Sequence, residues 1–282
     1  MGLTSMSTGI RILNHCGLNI EKETEQDKIV ALAGNPNVGK STVFNSLTGL
    51  KQHTGNWPGK TVTNAHGKYR YKDNNYIMVD IPGTYSLMAN SAEEEVARDF
   101  ICFGGPDAVV VVADATCLER NLNLVLQTME ITDKVVLCVN LMDEAKKKKI
   151  RIDLEALATQ LGIPVVGTNA RSGRGLDRLM DAVASLTDGS FKVNPLRVTY
   201  SEEIENTVSM VESVVEDALQ GKVNSRWISL KLLDGDESLL RSLKEYLGYD
   251  LMQNEEILEK TREARCFLEE AGISCDQFRD QV

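Results

Sequence analysis

One short segment of the chain has the composition of a loop that binds phosphate groups. It reads G-N-P-N-V-G-K-S over residues 34–41, with an apolar run before it and helical spacing after it. Glycines let backbone N–H groups turn inward around anionic oxygens, and the start of the following helix adds further N–H donors. Lys40 would reach the β- and γ-phosphates of a nucleotide, and Ser41 would ligate Mg²⁺. The strand before the segment and the helix after it favour a phosphate loop over a chance glycine-rich turn.

Two more motifs stand where predicted strands end. Asp80 and Gly83 form D-x-x-G, in which the carboxylate can hold Mg²⁺ through water and the Gly83 N–H faces the γ-phosphate. Asn140 and Asp143 form N-x-x-D, in which Asn140 braces the loop and the Asp143 carboxylate can accept both the N1–H and the N2–H₂ donors of guanine. Adenine offers no such pair of donors, so it would leave the carboxylate unpaired. A strand-ending turn or a polar surface could explain either motif alone, but their place after a phosphate loop favours guanine nucleotide binding.

A turn-rich segment between the phosphate loop and Asp80 is predicted to be a switch. Residues 51–60 read K-Q-H-T-G-N-W-P-G-K and lack periodicity, which predicts a loop. Thr61 follows, and its hydroxyl can complete the Mg²⁺ shell only while the γ-phosphate is present. The predicted switch residues are Gly55, Asn56, Trp57, Pro58, Gly59, Thr61, Asp80, Ile81, Pro82 and Gly83.

Hydrolysis without help is expected to be slow. Thr84 and Tyr85 follow Gly83, where Ras-like GTPases carry a water-orienting Gln. Asn37 resembles the residue with which Era/TrmE-type GTPases bind K⁺, a cation that can neutralise charge in the transition state; a plain turn residue is the alternative. The predicted catalytic residues are Lys40, Asn37, Thr61 and Gly83. The predicted metal ligands are Ser41 and Thr61 for Mg²⁺, Asp80 for Mg²⁺ through water, and Asn37 for K⁺.

A third loop is placed to contact the base through its backbone. It is the Thr168-Asn169-Ala170 segment, which follows the last predicted strand. The predicted nucleotide-binding residues are therefore Gly34, Asn35, Pro36, Asn37, Val38, Gly39, Lys40, Ser41, Thr42, Asn140, Asp143, Thr168, Asn169 and Ala170.

Alternating strands and helices are predicted to position these loops. The predicted strands are 28–33, 61–71, 76–80, 108–113, 135–139 and 163–166, and the predicted helices are 40–50, 91–103, 118–131, 154–161 and 176–186. Continuous β-branched runs are typical of strands covered on both faces. The predicted fold class is α/β, a doubly wound, mostly parallel P-loop GTPase sheet with a C-terminal all-helical subdomain. In that sheet the hairpin of 61–71 with 76–80 is the one antiparallel piece.

The composition changes after residue 187, where strand runs give way to helical stripes of apolar residues. Ile204, Val208, Val211, Val215 and Leu219 fall on one such stripe. We therefore expect an N-terminal extension over 1–27, a GTP-binding G domain over 28–190 and a helical domain over 191–282.

Bulk composition argues against several classes of protein. The formal net charge of −10 argues against a broad nucleic-acid-binding face, so no nucleic acid partner is expected. Cys102, Cys117 and Cys138 lie in apolar segments, are expected to be buried free thiols and suit a reducing cytoplasm. No apolar run approaches the length of a membrane span and no signal peptide is evident, so the chain is expected to be soluble.

Together the motifs resemble the cytosolic N-terminal part of the FeoB family of bacterial ferrous-iron transporters. The resemblance lies in residues 34–41, 80–87, 93–98 and 140–145, and above all in G-N-W-P-G at 55–59 before Thr61. It is close over residues 28–190 and rests on helical character and position over 191–282. Lys60 stands where that family often has an aliphatic residue.

The resemblance implies a GTPase domain, a GDP-dissociation-inhibitor-like helical domain that slows GDP release, and a membrane-embedded portion of the same full-length protein. The implied cofactors are GTP or GDP, Mg²⁺ and K⁺. The implied location is the cytoplasmic face of the bacterial inner membrane, and a homo-oligomer is left open.

Other interpretations compete with this one. A free-standing Era/TrmE-type GTPase in ribosome or tRNA maturation would need a basic RNA-binding appendage, and a nucleotide kinase would leave N-x-x-D unexplained. The lysines at 146–149 could face anionic lipid or form a solvated helix end. His53 and His66 could contact iron or simply lie at the surface.

Overall fold

The β-branched runs of the sequence form the centre of a seven-stranded sheet in the computed structural model. The structure describes residues 10–13, 18–49, 52–58 and 60–282. It divides into two compact units, of which the first comprises Met1–Met129 with Asp133–Leu196 and the second Glu130–Thr132 with Arg197–Val282.

The first unit contains nine strands and six helices among its described residues. The strands are β1 (Ile10–Leu13), β2 (Asn19–Lys22), β3 (Lys28–Gly34), β4 (Gln52–Asn56), β5 (Thr63–Tyr71), β6 (Asn74–Asp80), β7 (Ala108–Asp114), β8 (Val135–Asn140) and β9 (Val165–Gly167). The helices are α1 (Lys40–Thr48), α2 (Ala92–Phe103), α3 (Leu118–Ile131), α4 (Met142–Lys147), α5 (Leu154–Leu161) and α6 (Leu176–Thr187).

The order of the strands brings the motif-bearing loops to one edge of the sheet. That order is β4-β5-β6-β3-β7-β8-β9, and the five strands from β6 to β9 pair in parallel. Gly34, Asp80 and Asn140 end β3, β6 and β8, and parallel strands share one carboxyl edge. Such an edge is where ligands bind in doubly wound sheets. The predicted α/β fold class is confirmed.

Two predictions about the antiparallel side of the sheet are wrong. Residues 51–60 were expected to be a loop, but Gln52–Asn56 form β4 and pair antiparallel with β5. The hairpin of β5 with β6 is therefore not the one antiparallel piece. The sequence Q-H-T-G-N has no alternation of apolar residues, because β4 is an edge strand held by backbone pairing rather than by burial.

Other boundaries shift by a few residues. The last strand of the sheet lies at Val165–Gly167 rather than at 163–166, and α1 ends at Thr48 rather than at residue 50. The short helices α4 and α11 (Cys275–Gln281) were not predicted. The N-terminal extension contains the antiparallel pair β1–β2.

Apolar side chains cover both faces of the central strands. On one face, Val30, Leu32 and Val110 pack with Phe44 of α1 and Met180 of α6 in a buried cluster. Full burial of each such side chain contributes about 1.5–3 kcal/mol. This packing holds the loops at the carboxyl edge on rigid elements.

The second unit is helical, as predicted for the region after residue 190. It contains α7 (Glu202–Leu219), α8 (Ser225–Asp234), α9 (Glu237–Leu247), α10 (Glu255–Glu270) and α11. The predicted stripe of α7, from Ile204 to Leu219, is fully buried, and α7 packs against α8 and α10. Arg226 bonds both carboxylate oxygens of Glu205 at 2.8 Å, and Glu130 accepts the Val198 N–H at 3.2 Å.

Within the described part of the chain, no helix combines the length and the apolar character that crossing a membrane requires. The expectation for the cysteines is confirmed only in part. Cys138 is buried and its burial raises the pKa of its thiol to about 12, but Cys102 is half-buried and Cys117 is exposed.

Candidate nucleotide-binding site

The phosphate loop is shaped by two glycines that leave no room for a side chain. A Cβ at Gly34 would lie 2.6 Å from the Val112 carbonyl oxygen, and one at Gly39 would lie 2.5 Å from Asn140 Nδ2. Gly39 also has a φ of 85°, in the left-handed region that favours glycine. Asn37 adopts a left-handed φ of 67°, which Asn tolerates better than most residues. The turn therefore follows from residue type, as the sequence predicts.

Lys40 joins the phosphate loop to the D-x-x-G motif. Its ammonium group forms a short ion pair with Asp80 and donates to the Ile81 carbonyl at 2.7 Å. The Thr84 N–H donates to the Gly34 carbonyl at 3.2 Å. Burial raises the pKa of the Asp80 carboxyl above its ordinary value, and the Lys40 charge and hydrogen bond oppose part of that rise. Two motifs that are 40 residues apart in sequence thus form one charged cluster.

Asn140 joins the phosphate loop to the loop after β9. It is 1 % exposed, and its Nδ2 donates to the Val38 carbonyl at 3.1 Å. Its Oδ1 accepts the Thr168 hydroxyl at 3.1 Å and the Ala170 N–H at 3.0 Å. The Cys138 thiol lies 3.3 Å from the same hydroxyl. Asn140 therefore ties the phosphate loop to the loop after β9, and its role toward a nucleotide stays a prediction.

Asp143 lies in the first turn of α4, with its side chain exposed. Its N–H donates to Asn169 Oδ1 at 2.9 Å, and the Met142 N–H donates to the Thr168 carbonyl at 3.3 Å. Leu141, before the helix, has a left-handed φ of 62°. The N-x-x-D motif and the Thr168-Asn169-Ala170 loop are therefore joined by hydrogen bonds, while the Asp143 side chain is exposed.

A cavity of about 520 Å³ lies beside Lys40 and Asp80. It is lined by Lys40, Thr54, Gly55, Asn56, Thr63, Asn64, Ala65, Asp80, Ile81, Pro82 and Gly83. Lys40, Asp80 and Gly83 were predicted site residues, as were Gly55, Asn56, Ile81 and Pro82 of the switch. Asp143 and the loop after β9 do not line this cavity; Asn140 links that loop to the phosphate loop at Val38. The lining residues of β5 were missed, because their position depends on the β4–β5 pairing.

The predicted switch segment is anchored by its tryptophan. Trp57 is 3 % exposed and meets the Phe100 ring of α2 edge to face, with centroids 5.4 Å apart. The backbone N–H of Trp57 donates to the Val62 carbonyl at 2.7 Å, and Lys60 pairs with Glu95 of α2 at 2.6 Å. The contacts of Trp57 and Lys60 with α2 were missed, although a tryptophan in a polar segment is a signal of an anchor.

Not every predicted residue reaches the cavity. Thr61 is exposed and does not line it. Ser41 and Thr42, at the start of α1, are exposed as well. Gly59 lies outside the described residues. The assigned nucleotide and metal roles of these residues stay predictions.

A doubly wound sheet with a phosphate loop after β3 and N-x-x-D after β8 defines the P-loop GTPase class of nucleotide-binding proteins. Within that class, the chain belongs to the ferrous iron transport protein B family. The model of that family matches residues 28–183, and the model of the FeoB cytosolic helical domain matches residues 200–277.

Relatives and solved structures agree with this assignment. The chain is 40 % identical over 220 residues to an Fe(2+) transport protein A/Fe(2+) transporter FeoB fusion protein of Porphyromonas gingivalis, a match over 77 % of this chain and 26 % of that protein. The chain thus spans about a quarter of the length of the curated relatives it matches.

Two solved structures extend the likeness to the fold. The cytosolic domain of the T. maritima FeoB iron transporter in a GDP form is 37 % identical, with a TM-score of 0.70 over 86 % of this chain and 95 % of that one. A GDP-bound mutant of the S. thermophilus FeoB G-domain is 31 % identical, with a TM-score of 0.74 over 90 % of this chain and 94 % of that one.

Proposed function

We propose that this chain is the GTP-binding and GTP-hydrolysing regulatory part of a bacterial ferrous iron transporter. The observation that carries the proposal is the joining of three motifs at one sheet edge: Lys40 bonds Asp80, and Asn140 bonds the phosphate loop through Val38. The guanine nucleotides bound by the T. maritima and S. thermophilus proteins support the same ligand here.

Phosphate binding would use groups that the fold already gathers. The backbone N–H groups of residues 37–42, which include the start of α1, suit anionic oxygens, and Gly34 and Gly39 leave the space that side chains would fill. Lys40 has an anionic partner in Asp80; with nucleotide present, it would turn to the β- and γ-phosphates. Asp80 would then be free to hold Mg²⁺ through water.

Guanine would be selected by the exposed Asp143 carboxylate. Asn140 holds the neighbouring loops together through buried hydrogen bonds with Thr168 and Ala170. These bonds would fix the position of the loop that carries the Asp143 carboxylate. The backbone of residues 168–170 would complete the contact with the base. An adenine would leave the carboxylate unpaired, at a cost of about 1–3 kcal/mol.

The side chains also fit the two cations. Ser41 and Thr61 offer hydroxyl oxygens and Asp80 a carboxylate, the hard donors that Mg²⁺ prefers. Asn37 is an exposed residue of the phosphate loop and offers an amide oxygen for K⁺. When bound, the cations supply positive charge against the charge that develops on the phosphate oxygens. Because Thr61 is exposed and Thr84 replaces a water-orienting Gln, hydrolysis by the chain alone should be slow.

Nucleotide state would act on the rest of the transporter through the switch residues. Thr61 must move to reach Mg²⁺, and Trp57 and Lys60 tie its segment to α2. The G domain of residues 28–190 would carry this change, and the helical domain of residues 191–282 would slow GDP release. The membrane-embedded portion of the full-length protein would receive this conformational change at the cytoplasmic face of the bacterial inner membrane. The family assignment and the acidic charge favour this role over a free-standing GTPase in ribosome or tRNA maturation.

Relative affinity for guanine and adenine nucleotides tests the proposal. We expect GDP and GTP to bind the chain in K⁺ and Mg²⁺, and ADP and ATP to bind at least about tenfold more weakly, the equivalent of about 1.4 kcal/mol. Asp143→Asn should shift the preference from guanine to xanthine nucleotides, because the amide matches the altered donor pattern of xanthine. Glu144→Gln, one residue away, is the matched control and should leave the preference unchanged. Unaltered GTP binding by Asp143→Asn would refute the assignment of the base site.

A further inference from the structure

Two of the chain's three histidines face each other across neighbouring strands. His53 on β4 and His66 on β5 are directly opposite in the antiparallel register. Their imidazole rings lie with centroids 5.2 Å apart and planes 24° from parallel. His53, on the edge strand of the sheet, is exposed, whereas His66 is half-buried and its Nδ1 atom is buried.

The nucleotide chemistry proposed above does not use this pair. The histidines are not among the residues that line the cavity beside Lys40. Side chains alternate along a strand, so His53 and Gly55 share one face of β4 while Thr54 points to the other. Gly55 has no side chain, and the amide of its cross-strand partner Asn64 lies beside it, with Asn64 Oδ1 3.8 Å from where a Cβ of Gly55 would stand.

The spacing of the two rings matches that of imidazoles on one metal ion. With metal–nitrogen bonds of about 2.1 Å and a tetrahedral angle, two ring centroids lie about 5 Å apart. In the structure the two rings are stacked at 5.2 Å, so both must rotate about their side-chain bonds before one nitrogen of each can point at the same ion. Imidazole nitrogen is a preferred ligand for iron, zinc, nickel and copper, and a poor one for Mg²⁺.

We propose that His53 and His66 together bind one divalent first-row transition-metal ion, with water completing its coordination shell. Each of the two strands contributes one imidazole to this site. Such a site binds more weakly than a closed four-ligand site and lets the ion exchange. We assign Fe²⁺ as the ion; that choice rests on the proposed function, whereas binding of a transition metal by the pair does not.

Metal binding here would act on the predicted switch. β4 pairs with β5 alone and runs directly into Trp57. An ion held by both strands stabilises their paired form against separation, since it binds that form only. Occupancy of the site therefore favours the arrangement of residues 52–56 seen in this structure.

The test is Fe²⁺ binding to the whole chain under anaerobic conditions, measured by competition with a chromogenic chelator. Excess Mg²⁺ and GDP are present throughout, so that oxygen ligands around Asp80 do not compete for the iron. We expect one Fe²⁺ per chain, and an affinity loss of at least about tenfold in both His53→Ala and His66→Ala. His15→Ala removes the third histidine, which lies outside the described residues, and should bind iron like the wild type.

A second measurement separates a metal site from a merely structural pair of rings. At a metal concentration about 100 times the Kd, amide hydrogen exchange in residues 52–56 should slow about 100-fold in the wild type. Neither His53→Ala nor His66→Ala should show this slowing. Co²⁺ should bind the same pair and develop visible absorption bands.

Absence of binding in excess Mg²⁺, binding retained by both variants, or an equal loss in His15→Ala would overturn the site. Binding of Co²⁺ without Fe²⁺ would uphold the metal site and overturn the choice of iron. GDP affinity measured on the same samples keeps the two proposals apart, because loss of the metal site leaves nucleotide binding intact.

Discussion

Replacing Asn140 with alanine should weaken both the fold of the first unit and its hold on guanine nucleotides. The side chain makes three buried hydrogen bonds, to Val38, Thr168 and Ala170. Alanine would leave the Val38 carbonyl and the Ala170 N–H without this partner, whereas the Thr168 hydroxyl keeps the Cys138 thiol at 3.3 Å. Each unpaired buried group costs about 1–3 kcal/mol, so the total is about 4 kcal/mol.

The unpaired groups lie in the free folded protein, so we expect its free energy of unfolding to fall by about 4 kcal/mol. As a separate effect, GDP affinity should fall at least about tenfold, or about 1.4 kcal/mol, because the phosphate loop and the base loops lose their shared partner. Urea unfolding followed by tryptophan fluorescence gives the first quantity, and titration with a fluorescent GDP analogue gives the second.

Asn121→Ala is the matched control. Asn121 is also buried, at 3 % exposure, and its Oδ1 accepts the Asp114 N–H at 2.7 Å. This variant should lose stability by about 1–3 kcal/mol yet bind GDP within about twofold of the wild type. If Asn140→Ala binds GDP as tightly as the wild type does, the idea that Asn140 holds the two loops together is wrong.

Two further predictions concern the cation and the helical unit. GTP hydrolysis should be about 10- to 100-fold faster in K⁺ than in Na⁺, and Asn37→Ala should erase the difference; equal rates in both salts for the wild type would remove the cation role. In the second unit, the hydrogen bonds from Arg226 lower the pKa of Glu205, with burial opposing them. This stabilisation is present above the ordinary Glu pKa of about 4.3 and is lost as the pH falls through the lowered value. Glu205→Gln should therefore flatten the acid-side fall in stability, measured by the fluorescence of buried Trp227 in a Trp57→Phe background; an unchanged pH profile would contradict it.

The main elements of the sheet could be predicted because their signals are local. The β-branched runs that became β7 and β8 are buried on both faces, and burial on both faces selects such runs. Ser91 followed by three glutamates predicted the start of α2, and its hydroxyl accepts the Glu94 N–H at 3.2 Å. The strand β4 was missed for the opposite reason: its polar sequence carries no periodic pattern, and only pairing with β5 makes it a strand.

The sequence by itself determined the kind of chemistry, because each motif is contiguous and its conformation depends on residue type. Glycines 34 and 39 set the phosphate loop, and the spacing of Asn140 and Asp143 places both in one strand-to-helix turn. Tertiary structure alone decided which motifs meet: the Lys40–Asp80 pair, the bonds of Asn140 and the facing histidines join residues far apart in sequence. Such contacts depend on strand order and register, and a register shift of one residue would have turned His53 and His66 to opposite faces.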